Sequence, residues 1–141
     1  MKRVVGLILV LMFLFGLTNV VAQETDEGPK PGWLVFSQNM VEGMNVGKVN
    51  AQIDSITVPI MNELVDEGKL LGWGQLNHAW GDEWNVNFYY ITESQSAFIE
   101  FWEEFIKRLS ERHPGSYEVW APLIKAHKDN MYSVRHMING L

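Results

Sequence analysis

An α+β fold, one antiparallel sheet with helices packed on one face in the order strand, helix, strand, strand, helix, strand, is predicted by three observations. Three runs rich in apolar and aromatic residues, Trp33 to Met40, Leu70 to Trp80 and Trp84 to Thr92, read as strands, and turn-forming residues lie between them. Two other stretches carry apolar residues in steps of three and four, the signature of one helix face. The second and third runs are separated only by Gly81-Asp82-Glu83, which suits a hairpin and leaves no room for a helix.

The N-terminus sets the compartment. Met1-Lys2-Arg3 is basic, Val4 to Leu17 is almost wholly apolar, and Val20-Val21-Ala22 places a small residue at a cleavage point. Residues 1–22 therefore read as a secretory signal peptide cleaved after Ala22, which predicts a secreted or periplasmic protein. An uncleaved anchor is the alternative, because Val4 to Val21 approaches the short end of a membrane span. Residues 23–32 (QETDEGPKPG) are polar, with two prolines, and predict a flexible lead-in. Residues 33–141 suffice for a single α+β domain with a sizeable core.

Charge and composition remove several function classes. Of the eleven basic residues, loss of Lys2 and Arg3 leaves nine against seventeen acidic ones, a net of −8. That balance argues against nucleic acid, and against an anionic membrane surface once the signal is removed. The chain has no cysteine, so disulfides, thiol chemistry, thiolate metal sites and a lipoprotein anchor are excluded.

Taken in order, Trp33 to Met40 is the first strand. Val49, Ile53, Ile56, Ile60 and Leu64 mark the first helical face, ended by Gly68. Pro59 lies within it and would remove one backbone bond and clash with the carbonyl of Ser55, which predicts a kink or two shorter helices. Across the hairpin, a three-residue loop would put Gly74, Leu76, His78 and Trp80 on one face with Trp84, Val86, Phe88 and Tyr90. The other face would then collect Trp73, Gln75, Asn77, Asn85, Asn87 and Tyr89. Thr92-Glu93-Ser94-Gln95 matches a capping box, followed by Phe98, Phe101, Trp102, Phe105 and Leu109 as a core-facing stripe. His113-Pro114-Gly115 ends that helix. A shorter helical piece is expected around Trp120, Leu123, Ile124 and His127, and Tyr132 to Met137 as the last strand.

In this order the elements make the split β-α-β, ferredoxin-like arrangement. In element order and hairpin placement the chain resembles the dimeric α/β-barrel superfamily, which includes antibiotic-biosynthesis-type monooxygenases, haem-degrading oxygenases, and EthD-like and NIPSNAP-like proteins. The resemblance spans nearly all of residues 33–141 and rests on topology, with no diagnostic motif. It implies a homodimer packed sheet to sheet, as a dimeric α/β barrel, and a ligand cleft between the sheet and helices of each subunit. Haem-degrading members use an asparagine, tryptophan and histidine set that does not map onto this chain position by position, so the resemblance implies no catalytic residue.

The residues themselves offer two clusters. The first is the hairpin tip HAWGDEWN, His78 to Asn85, where His78 is a candidate general base partnered by Asp82 or Glu83. Trp80 and Trp84 are candidate walls for a flat apolar ligand, and Asn85 a candidate ligand contact. The second is His127, Asp129, Asn130 and Tyr132, in which His127 and Tyr132 are candidate catalytic groups and Asn130 a candidate ligand contact. For each, a structural role is the alternative: hairpin capping for His78, turn formation for Asp82, Asp129 and Asn130. His113 and His136 read as surface or structural.

No cofactor and no metal site is expected. A metal on His78, His127, Asp82 and Asp129 has acceptable ligand types but no short histidine spacing, and haem on one histidine walled by Trp80 and Trp84 is a further alternative. Neither a nucleophile elbow nor a phosphate-binding glycine loop is present. The expected partner is a small apolar or aromatic molecule. Cofactor-independent oxygenation or isomerisation is the enzyme reading, with a non-catalytic binding or stress-associated module of the same fold as its competitor.

Overall fold

The computed structural model describes residues 32–135. The signal peptide, most of the lead-in, and the expected strand end at His136 and Met137 lie outside the described residues. The elements are β1 (Trp33–Val41), α1 (Gly43–Gln52), a π-helical turn (Ile53–Thr57), α2 (Val58–Asp66), β2 (Gly72–Asn77), β3 (Val86–Thr92), α3 (Gln95–Arg112), α4 (Ser116–Trp120), a 3₁₀ turn (Ala121–Leu123) and β4 (Ile124–Ser133). The four strands form one antiparallel sheet in the order β2-β3-β1-β4, so the two terminal strands of each half interleave as the ferredoxin-like arrangement requires. Among the described residues the sheet is open, with β2 and β4 at its edges.

Pro59 breaks the first helix as its chemistry dictates. The wide turn at Ile53–Thr57 separates α1 from α2, and Pro59 falls in the first turn of α2, where a missing N–H costs nothing. Gly68, at φ 72°, closes α2 in the left-handed conformation. There the Gly68 and Lys69 amides donate to the Val65 and Leu64 carbonyls.

α3 begins two residues later than the expected capping box. Ser94 is the N-cap, its hydroxyl accepting from the Ala97 amide at 3.1 Å, while the Thr92 hydroxyl donates to the Ser94 carbonyl. Thr92 is the last residue of β3 and buried, so its hydroxyl turns the chain instead of capping it. The core lies between this sheet face and the helices: Val35, Val41, Val86, Phe88 and Tyr90 from the strands, Val49, Ile53, Ile60, Met61 and Leu64 from α1 to α2, Phe101 and Phe105 from α3. Each such side chain, fully buried, contributes about 1.5–3 kcal/mol. Arg108 of α3 ties the helices together, bonding Glu67 at 2.7 Å and Glu63 at 3.2 Å across the gap and Glu104 at 2.8 Å along its own helix.

The hairpin register differs from expectation by one residue. Asn77 pairs with Val86 and Trp73 with Tyr90, so Trp73, Gln75 and Asn77 share the helix-side face with Val86, Phe88 and Tyr90. Gly74 and Leu76 face outward with Tyr89, whose ring lies over Gly74. The cause is the edge position of β2. Its polar residues are not solvated on the outer face but bonded to helix amides: Gln75 donates to Asn50 at 2.7 Å and Trp73 to Asn62 at 3.4 Å. The three-residue loop is replaced by a longer connection, closed by the His78 amide donating to the Asn85 carbonyl at 3.0 Å.

The last strand also differs. Ile124 to Ser133 is extended, so Ile124 and His127 are strand residues, and only Ser116–Leu123 is helical. Pro122 sits at the start of the 3₁₀ turn, and the carbonyls and amides beyond it pair with β1 from Val41 to Trp33. The long ladder on β1 overrides the weak helical spacing of Trp120, Leu123 and His127.

Candidate functional site: a helix-side cavity ending at His127

Between the sheet and the helices lies a cavity of about 500 Å³. Its walls are aromatic and aliphatic: Phe88 and Tyr90 from β3, Trp102, Phe105, Ile106 and Leu109 from α3, Tyr117 and Trp120 from α4, and Ile53 and Ile56 from the π-turn. Its polar lining comes chiefly from the strands, as Ser37, Asn39 and His127, with Gln52 and Thr57 on the helical wall. The aromatic stripe of α3 serves both ends of this description. Phe101 and Phe105 are core, as expected, whereas Trp102 is 38% exposed and forms part of the cavity wall.

His127 is held from both sides. Asn39, 1% exposed, donates its amide to the Val86 carbonyl at 3.0 Å, which leaves Oδ1 to accept. His127 Nδ1 lies 2.9 Å from that oxygen, a contact that needs a ring proton on Nδ1. Nε2 lies 3.0 Å from Asp129 Oδ2. The carboxylate can only accept, so this contact needs a proton on Nε2, and a ring carrying one proton makes one of the two contacts at a time. Asn39 and Asp129 together position the ring in the cavity wall. Tyr90, on the same sheet face, is deeply buried, and its phenol is pushed well above the ordinary value by desolvation first and by the negative charge of Asp129 second.

The structure distributes the expected residues differently. His127 lines the cavity. His78 does not: its ring folds against Gly81 in the hairpin, where a Cβ at Gly81 would meet Nε2 at 2.6 Å. Trp80, at 89% exposed, stands in solvent at the hairpin tip. Trp84 lies on the outer side of the sheet, with the Lys128 ammonium 4.0 Å above its ring. These placements correct the expectation that His78, Trp80 and Trp84 face the helices, and all follow from the one-residue register difference and the longer loop. Asp82 accepts from the Trp84 amide at 3.0 Å, the local turn bond its chemistry favours.

Asn85 stitches strands together, accepting from the Val41 amide at 2.9 Å and donating to the Val41 carbonyl at 2.7 Å. There the β1–β4 ladder slips between Met40 and Val41. Asn130 and Tyr132 fall on the outer face, opposite Phe36 and Leu34, so Tyr132 does not enter the cleft with His127. The alternation of β4 decides this, since His127 and Tyr132 are an odd number of residues apart. Among the described residues no cluster of three or more histidine, aspartate or glutamate side chains could hold a metal ion.

Ser37, Asn39, Gln52, Tyr90 and Trp120 were not singled out from sequence. Ser37 and Asn39 carried a usable signal: Val35, Ser37, Asn39 and Val41 alternate on the core-facing side of β1, and two polar residues there require partners.

With this geometry in hand, solved structures supply the comparison. A mutant of MhuD with two manganese protoporphyrin IX molecules bound per active site superposes with a TM-score of 0.61 at 13% identity, over 77% of this chain and 99% of that one. A dimeric ferredoxin-like protein from an uncultured marine organism gives 0.59 at 9% identity, over 77% of this chain and 91% of that one. A mutant of SnoaB, a cofactor-independent oxygenase from Streptomyces nogalater, gives 0.51 at 9% identity, over 77% and 97%. The chain shares the ferredoxin-like fold of these proteins. At such identities the likeness is one of fold. No protein-family model and no curated protein matches the sequence.

Proposed function

We propose that this chain binds a flat, largely apolar or aromatic small molecule in the helix-side cavity and acts on it by cofactor-independent oxygenation or a related proton transfer, with His127 as the base. The observation that carries this is a cavity of about 500 Å³ with aromatic walls, ending at a histidine held in contact with Asn39 and Asp129. The similar fold of a cofactor-independent oxygenase supports it. With the exposed Asp129 side chain turned off the ring, an acidic C–H of the bound compound gives its proton to His127 Nε2, and the resulting carbanion reduces dioxygen. For an anthrone, one dioxygen is consumed, the CH₂ becomes a carbonyl, and one water leaves.

Export through residues 1–22 and homodimerisation through the outer sheet face complete the proposal. Leu76 and Tyr132 are 45% and 51% exposed on that face, and a protein of similar fold is described as dimeric. Light scattering of the mature protein at micromolar concentration tests the dimer, and a monomer overturns it. The catalytic proposal is tested with anthrone in an oxygen electrode, following anthraquinone by absorbance. Wild type should consume one dioxygen per anthraquinone, and His127→Gln should be slower by about 100-fold or more, as loss of a general base implies. Equal rates in the two proteins, or no rate above buffer, would sink the catalytic proposal.

A further inference from the structure

The cavity holds more polar groups than its proton chemistry uses. Ser37 is buried on β1, between Phe88 of β3 and Asp129 of β4, and its hydroxyl makes no hydrogen bond among the described residues. Tyr90 is buried two positions along the same face of β3, wrapped by Phe98, Phe101 and Trp102, and its hydroxyl is likewise unbonded among the described residues. On the opposite wall, Gln52 ends α1 immediately before the π-turn, and its Oε1 is buried without a partner. All three side chains line the same cavity.

Buried polar groups in folded proteins are almost always satisfied, and exceptions call for a specific cause. Here one such exception, Gln52 Oε1, and two hydroxyls without a hydrogen bond among the described residues converge on one space, from two strands and one helix end. The packing around Tyr90 would be as well served by phenylalanine, and an apolar residue at position 37 would suit a hydrocarbon. Rotation about its terminal bond lets Gln52 turn either its oxygen or its amide to the cavity. The adjoining π-turn is a helix defect found frequently at functional sites.

Resting on the ligand-binding reading above, we infer that Ser37, Tyr90 and Gln52 are specificity residues that select an oxygen-bearing aromatic, a phenol or an aryl ketone, over the corresponding hydrocarbon. The two hydroxyls and the amide form a mixed donor and acceptor set, which pairs with a hydroxyl through its oxygen and its proton together. A pure hydrocarbon leaves all three unpaired and binds through the aromatic walls alone. None of the three takes the transferred proton; they orient the ligand's oxygen.

The test uses 2-hydroxyfluorene and fluorene as probes, in equilibrium dialysis against the folded mature protein. Wild type should bind 2-hydroxyfluorene about tenfold more tightly than fluorene, the size expected when one or two hydrogen bonds to uncharged groups are made. In Ser37→Ala/Tyr90→Phe/Gln52→Met the preference should fall to within about twofold, with fluorene affinity kept. The single variant Tyr90→Phe, which deletes one oxygen and no packing, gives the same direction should the triple variant fail to fold. Equal binding of both probes by wild type overturns the specificity assignment while leaving the cavity as a binding site. Binding of neither probe overturns both. Retention of the full preference by Tyr90→Phe and by the triple variant also overturns the assignment.

Discussion

Replacing Asn39 by alanine probes the support of the candidate base and the core at once. The side chain donates to the Val86 carbonyl at 3.0 Å in a fully buried contact, and accepts from His127 at 2.9 Å in a half-exposed one. Losing the first removes about 1 kcal/mol, and stripping the carbonyl of this donor costs about 1–3 kcal/mol more. The second is solvent-screened and adds at most about 0.5 kcal/mol. The expected loss is therefore about 2–4 kcal/mol. For a domain of this size that lowers Tm by roughly 10–25 °C. Guanidinium unfolding followed by tryptophan fluorescence measures the loss. Nitrogen-15 NMR of the imidazole shows in parallel whether an Nδ1 proton, expected to be protected in wild type by Asn39, exchanges rapidly in the variant. A loss below about 0.5 kcal/mol, or an Nδ1 proton that stays protected, would refute the claim that Asn39 positions His127.

Three further outcomes are expected. Glu63, Glu67 and Glu104 are held below their ordinary 4.5, Glu63 chiefly by its hydrogen bond from Arg112 and the other two by Arg108. Their contribution is present above about pH 4.5 and lost as pH falls through the lower folded-state values, so Arg108→Met should flatten the acid limb of a stability–pH curve. Tyr90 is shifted the other way, above 10.0. The unfolded chain then loses that proton first, so stability present below about pH 10 declines above it, and Tyr90→Phe should lack this part of the alkaline decline in urea midpoints. Phe101→Ala, at a residue 1% exposed and ringed by Tyr90, Phe98, Trp102 and Phe105, should cost about 3–5 kcal/mol by calorimetry, and a loss under about 1 kcal/mol would show that the helices repack around it.

Local chemistry was sufficient for much of this protein. Apolar spacing marked α1 to α2 and α3, Pro59 marked the break between the first two, and Gly68 the left-handed end. Together with the strand-like runs these dictate the order of elements, and the order dictates the ferredoxin-like fold. Each signal depends on residues a few positions apart, which a sequence displays directly. The face of a strand does not. Trp73, Gln75 and Asn77 look like a solvated polar face, yet they turn inward because Asn50 and Asn62, distant in the chain, offer hydrogen bonds at the sheet edge.

The same limit governed the site. From sequence His78 was the favoured base and His127 belonged to the second cluster, and only the register of β2 on β3 and of β4 on β1 separates them in space. A slip of one residue exchanges the faces of a strand, so hairpin parity sends His78 to the loop and ladder parity brings His127 beside Asn39. The sequence by itself determined the elements, their order and the stock of side chains available for chemistry. The tertiary structure alone decided which of them meet, because the meeting of Asn39, His127 and Asp129 depends on pairing between strands at opposite ends of the chain.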